Sequence, residues 1–382
     1  MSLLSRRHLL ASGALLPLCV ACESLGVSHG GDSKSSEGRF RIVLLGQALI
    51  QYSPKPGEWR DEEKFAKLFA GADACFTDLE TAIRGAHPGT PTREGVFAHV
   101  AEPSVLDTLK GVGVTMLATS NNHAYDLNSA GVMDAISEID RRGFTHAGSG
   151  ATLSDATAPA YRHTPHGTVA LVSMATGAIR EGGAATATRP GVNEIRRDTA
   201  GILNLDDVAR TCAAIGEAAK TADIVIAYHH NHYWEKDMAA VPAWQRALAR
   251  QCVDAGASVF ASHGAPLLQG IEVYRSRPIF YDLGSLFFQT ATAPDAYGPD
   301  VWQSVIADCT CTKAGFESVS LIPVQLNAVG ENGPGDLKTR GLPSFAPGPD
   351  ADRILKHLAD MSAPFGTTLT TEGGRGTVKL SA

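Results

Sequence analysis

Ser120-Asn121-Asn122-His123-Ala124-Tyr125-Asp126 gathers the side chains of a reactive site into one short stretch. A carboxamide oxygen beside an imidazole, with a carboxylate three residues on, offers a metal ligand, a proton carrier and its orienting partner. The bland reading of the same residues is an Asn-rich turn capping its own backbone. His229-His230-Asn231-His232, followed by Glu235, tips the balance by adding three imidazoles within four residues. A surface histidine patch is its bland counterpart. Gly46-Gln47, Asp78-Leu79-Glu80 and His263-Gly264 complete the set of polar clusters. Oxygen and nitrogen donors without thiolate suit Mn, Fe, Zn or Mg, as one or two divalent ions, rather than a structural zinc. The chain lacks the HExxH, Walker-type and GxSxG patterns, which argues against a zincin, a P-loop hydrolase and a serine hydrolase.

Such clusters work together only if the fold brings them to one place. Each follows a short apolar run: Phe40 to Leu45, Ala74 to Thr77, Val112 to Ala118, Asp223 to Tyr228 and Ser258 to Ala261 read as strands. Helical spacing is expected over Asp61 to Gly71, Ser104 to Gly111, Gly131 to Arg142, Asp206 to Lys220 and Val241 to Ala255. That alternation predicts an α/β fold, a layered sandwich of mixed β-sheets flanked by helices. Ligands in such folds collect at the carboxyl ends of strands. After Phe260 the elements read as strands joined by short turns, an antiparallel set closing the domain. A helix over Asp350 to Met361 and a loose tail beyond Gly366 are expected to end the chain.

The 382 residues are 44% apolar and 19% charged, an ordinary globular composition with a net charge of -7. With no basic run in the body, nucleic acid is not an expected partner. Arg6-Arg7 precede an apolar stretch from Leu9 to Ala21, too short for the roughly 20 residues of a membrane span. This resembles a twin-arginine export signal, so the protein is expected in the periplasm or cell envelope. Cys22 stands where a lipoprotein acceptor would, although Cys19 replaces the usual aliphatic residue. The expected divisions are a signal over 1–22, a flexible tether over 23–39, the main domain over 40–330, and the C-terminal helix and tail over 331–382. Cys75 and Cys252 read as buried thiols, whereas Cys309 and Cys311, two apart on one strand, are expected to crowd if both are core. His87, His99, His146, His163 and His166 read as solvated loop residues. Arg180, Arg189, Arg196 and Arg197 read as solvated surface, or as a flap offering cations to an acidic polymer.

The order of motifs resembles the CapA family, poly-γ-glutamate capsule synthesis proteins related to the calcineurin-like metallophosphatases. Asp78-Leu79-Glu80 looks like the family's Asn-Leu-Glu stretch, and Asn121-Asn122-His123-Ala124-Tyr125-Asp126 matches its Asn-Asn-His-x-x-Asp motif. Asp254-Ala255-Gly256-Ala257, His263-Gly264, Gln269 to Tyr274 and Pro278 to Gly284 follow its distal block. The resemblance implies a metallophosphatase-like sandwich with Glu80, Asn122, His229 and His263 as metal ligands, His230 or His232 standing as alternatives to His229. His123 would then be the acid or phosphate-contacting residue, oriented by Asp126. Three departures stand out: Gln47 replaces an acidic ligand, Ala265-Pro266 replace a second histidine, and Ser285 replaces an Asn. The implied function is synthesis or handling of a cell-surface anionic polymer by metal-dependent hydrolysis of phosphoester or amide bonds. Capsule-synthesis membrane proteins would be its partners. The alternative is a non-enzymatic capsule-assembly component with a degenerate metal site.

Overall fold

The computed structural model describes residues 38–380, except 96–97 and 294–295. The expected export signal, the Cys22 acceptor and all but the end of the tether lie outside the described residues. Arg39, placed in the tether, already pairs with Thr312 in a sheet.

Four strands form the parallel half of the first sheet: β1 (Arg39–Leu44), β2 (Ala74–Asp78), β3 (Met116–Ala118) and β4 (Thr145–Ala147). Between them the chain crosses over through α1 (Glu62–Phe69), α2 (Ser104–Gly111) and α3 (Asn128–Arg141). The second sheet starts with β5 (Ala160–Thr164), antiparallel to β6 (Gly167–Thr176). Parallel strands β7 (Ile224–Asn231) and β8 (Val259–His263) follow, reached through α4 (Leu205–Thr221) and α5 (Ala243–Asp254). An antiparallel hairpin, β9 (Leu268–Tyr274) and β10 (Arg277–Leu283), ends that sheet, with β10 parallel to β8. The chain then returns to the first sheet as the hairpin β11 (Gln303–Thr312) and β12 (Gly315–Leu326), with β11 antiparallel to β1.

Side-chain alternation along these strands builds four layers. Phe40, Ile42, Leu44, Phe76 and Met116 of the first sheet meet Leu171, Ile224, Ile226, Tyr228 and Val259 of the second in a central core. The opposite faces carry Val43, Cys75 and Leu117 under Phe65, Phe69, Val105 and Leu109 of the helices. On the other side Val172, Val225 and Phe260 lie under Ile215, Leu248 and Cys252. Strands β2, β3, β7 and β8 are therefore buried on both faces along their whole length, which is why they read as unbroken apolar runs. The helix-flanked sandwich of mixed sheets expected from the sequence is the fold that forms. Helix α4 starts where Asn204 accepts the Asp207 N–H at 3.0 Å, satisfying an otherwise orphaned donor.

Two expectations fail in the C-terminal third. Cys309 and Cys311 are both fully buried in the central core, beside Ile42 and Phe40. Thiols are small enough to fit between the sheets, and a register shift between Thr310 and Cys311 relieves the strand. The tail beyond Gly366 is not loose: Leu369–Glu372 and Arg375–Val378 form a hairpin that pairs with β12. The preceding helix, α6 (Gly348–Ser362), drives Ile354, Leu355 and Leu358 into the central core.

Candidate metal centre

The carboxyl ends of β2, β3, β7 and β8 open at one edge, between the two sheets. Asp78 ends β2, and Glu80 follows it with its N–H on the Ala48 carbonyl at 3.1 Å. Past β3 the chain turns through Asn121, whose Oδ1 accepts the N–H groups of His123 (3.1 Å) and Ala124 (2.9 Å). Its Nδ2 donates to Asp78 Oδ1 at 3.0 Å and to the Leu79 carbonyl at 2.8 Å. Asn121 thus does what an Asx turn does, and that turn is what aims Asn122 and His123 into the opening.

Among the described residues, Glu80, His230 and His232 offer ligand atoms within 4.8 Å of one another. His230 Nε2 lies 2.8 Å from Asn122 Oδ1 and 3.5 Å from Glu80 Oε1. His232 Nε2 is 3.9 Å and His123 Nε2 4.0 Å from that same carboxylate oxygen. His123 Nδ1 meets Asp126 Oδ2 at 2.8 Å, and Arg93 Nε lies 2.7 Å from Asp126 Oδ1. Glu80, Asn122, His123, Asp126 and His232 are therefore brought together.

His229 is not among them. Adjacent residues of a strand face opposite ways, and His229 points to the helix side, with Nε2 2.9 Å from Thr176 Oγ1 and its ring against Trp244 and Phe260. The position assigned to it belongs to its alternative, His230. His263, expected as a ligand, pairs in register with His230 on the neighbouring strand and so faces the same side. Its Nδ1 lies 3.3 Å from the Tyr228 hydroxyl, which is also 3.3 Å from His230 Nδ1, and its Nε2 is buried with no hydrogen-bond partner among the described residues. Gly264, at φ 129, has no room for a side chain: a Cβ would fall 2.0 Å from the Asn231 carbonyl.

His99 corrects another expectation. It is buried, its N–H donates to Asp126 Oδ2 at 3.0 Å, and its ring stands edge-on to His123 at 4.2 Å. His99 and Arg93 are members that sequence reading missed, because they lie in a long polar segment with no periodicity. Asp78 was placed in its cluster, but only Glu80 of that cluster was given a role. Arg196 is exposed, as expected, although its guanidinium pairs with the buried Asp207, and Trp234 lines the opening. That opening is a cavity of about 240 Å³ whose walls include Gln47, Glu80, Arg93, His123, His232 and Trp234.

Burial, then Asp78, pushes the Glu80 carboxyl well above the ordinary carboxylate range. Burial also holds His123 and His232 well below the ordinary imidazole range, so both are neutral near pH 7. Burial pushes Asp126 up to about 6, against the opposing pull of Arg93. A cation suits this set, because it requires neutral imidazoles and stabilises an ionised carboxylate. Glu80 Oε2, His232 Nε2, Gln47 Oε1 and Asp78 Oδ2 are buried with no hydrogen-bond partner among the described residues. Unpartnered lone pairs in a closed site are costly unless something binds them. The donors fit a divalent ion held by Glu80, His230 and His232, with Asn122 in reach.

Fold and site together define a layered α/β protein with a buried nitrogen–oxygen cluster at the strand ends. The family described as bacterial capsule synthesis protein PGA_cap matches residues 43–290, and the chain belongs to it. It is 33% identical over 248 residues to the PGA biosynthesis protein CapA of Bacillus subtilis, covering 64% of this chain and 61% of that one. The uncharacterized protein y4sH of Sinorhizobium fredii is 29% identical over 433 residues, covering 89% and 93% respectively. A hypothetical protein of Thermus thermophilus overlays 80% of this chain and 96% of its own, at 14% identity and a TM-score of 0.42, too low to carry an argument.

Proposed function

We propose that this protein is an exported, metal-dependent hydrolase that cuts phosphoester or amide bonds while a cell-surface anionic polymer is made or handled. The polymer class follows from the family and from the printed name of the Bacillus subtilis relative. Association with the capsule-synthesis machinery belongs to the same reading, and the Arg6-Arg7 signal is the ground for export. The observation that carries the chemistry is the convergence of Glu80, His230 and His232 within 4.8 Å, beside the His123–Asp126 pair.

A divalent ion held there supplies Lewis acidity, polarising a phosphoryl or carbonyl oxygen and acidifying a water. The remaining work is done by the chain. With Asp126 accepting at 2.8 Å, the His123 proton is assigned to Nδ1, and Nε2 faces Glu80 with a free lone pair. Neutral His123 can take a proton at Nε2 from an attacking water and return it to the leaving group. Arg93 holds Asp126 in place through its Nε and reaches the Asn122 carbonyl, so both sides of the turn are fixed. Trp234, Phe288 and Tyr297 wall the cavity and limit water entry.

The test is metal analysis of the purified mature protein, with assays on bis(4-nitrophenyl) phosphate and γ-glutamyl-4-nitroanilide. Bound metal and turnover are expected, and His123→Gln should keep the metal while losing roughly 10²–10⁴-fold in rate. Metal without turnover on either substrate favours the second reading, a non-enzymatic capsule-assembly component. Gln47 on the cavity wall, where the resemblance implies a carboxylate, is the observation in its favour.

A further inference from the structure

The residues beside Gln47 suggest how the site tolerates that loss. Ala48 bridges to Leu79 in parallel, so Gln47 and Asp78 are neighbouring positions one residue earlier on adjacent strands. Adjacent strands lie about 4.8 Å apart, and a charge moved by one strand therefore stays within the same cluster. Gln47 stands at the acidic position of the Gly-Asp pair implied by the resemblance, while Asp78 stands at the amide position of Asn-Leu-Glu. Amide and carboxylate are exchanged between the two strand ends.

The geometry gives Asp78 work at its new place. It is fully buried, its Oδ1 accepts from Asn121 at 3.0 Å, and its Oδ2 lies 3.2 Å from His230 Nδ1. The carboxylate thus stands at the Nδ1 edge of the imidazole beside the Tyr228 hydroxyl, within reach of the proton that His230 would carry on Nδ1 when its Nε2 binds a cation. Gln47 Oε1 and Asp78 Oδ2 are both buried with no hydrogen-bond partner among the described residues, so neither is a passive filler satisfied by its own surroundings.

We infer that Asp78 is a positioning residue that replaces, from the neighbouring strand, the negative charge that Gln47 does not bring to the metal centre. This rests on the metal reading above. It departs from the family pattern by assigning the charge balance of the centre to a residue where that pattern has an amide.

The test is a double-mutant cycle on the mature chain: wild type, Asp78→Asn, Gln47→Asp and Gln47→Asp/Asp78→Asn. Manganese and zinc affinity is read by calorimetry, and folding is checked by the circular dichroism melt of the metal-free protein. Asp78→Asn is expected to weaken binding by about 10–100-fold. Gln47→Asp alone crowds a third carboxylate against Asp78 and Glu80, and should lower the metal-free melting temperature. The double variant should bind within about threefold of wild type, less than the tenfold that one lost orienting partner costs. The inference is overturned if Asp78→Asn binds as wild type does, or if the double variant is no better than Asp78→Asn. Wild type that takes up neither ion sinks the metal reading itself, a result seen before any variant is measured.

Discussion

His230 Nε2 and Asn122 Oδ1 meet at 2.8 Å across 108 residues of chain, joining the end of β7 in the second sheet to the turn after β3 in the first. Asn122→Ala breaks this link twice over, removing a candidate ligand and leaving the His230 nitrogen buried. Metal affinity is expected to fall at least tenfold, and the unpaired group should cost about 1–3 kcal/mol of stability. Metal analysis and urea unfolding of the same preparation check both. Unchanged metal content would remove Asn122 from the centre.

His229 and His232 should separate cleanly. His229→Ala removes the bond to Thr176 and the packing on Trp244, so stability should drop by about 2 kcal/mol. Its metal content should stay at the wild-type level. His232→Ala should lose metal with a smaller effect on the melt, because that ring lies at the cavity wall. A His229→Ala protein that melts normally but has lost metal contradicts the assignment of faces.

That ambiguity shows what the sequence could and could not tell. The order of strands and helices is legible because apolar runs and helical spacing report burial directly, as in Asp206 to Lys220 for a helix observed over Leu205–Thr221. The face of a given histidine is not legible. Every residue of β7 is buried, so no polar–apolar alternation marks which side meets the first sheet. His99 joins the site through its backbone N–H on Asp126 and its ring against His123, contacts with no local signal. The terminal hairpin escapes a sequence reading because Leu369–Glu372 and Arg375–Val378 are mostly polar and exposed, with Val378 and Gly376 the buried positions. Edge strands of that kind look like loops in sequence.

Acid should loosen the helix layer over the second sheet. Asp207 is buried, and burial pushes its carboxyl up. Hydrogen bonds from Arg196 and Arg210 outweigh that and leave it below the ordinary range. A folded-state value below the unfolded one, near 3.9, means the stabilisation is complete above that pH and is lost as pH falls through the folded value. Asp207→Asn should therefore destabilise the protein by about 1–3 kcal/mol at pH 7 and by less below pH 4. Thermal melts from pH 7 to pH 3 check it, and a constant difference between the two proteins would refute it.

The cavity wall opposite the histidines depends on a buried cation. Arg340 is 1% exposed and meets carbonyl oxygens: Nε on Ala328 at 3.0 Å, and Nη1 on Thr290 and Thr292 at 3.1 and 2.8 Å. Its guanidinium also lies over the Trp302 ring at 5.0 Å. Thr290 and Thr292 line the metal cavity, so this fork holds the wall through its backbone. A lysine keeps the charge but cannot reach three carbonyls in a plane. Arg340→Lys should therefore lose about 3 kcal/mol, the worth of one or two charged hydrogen bonds, and behave no better than Arg340→Met. Urea midpoints rank the three proteins, and hydrogen exchange at 288–292 should rise in both variants. Rescue of stability and protection by lysine would mean that charge, not the shape of the fork, supports the wall.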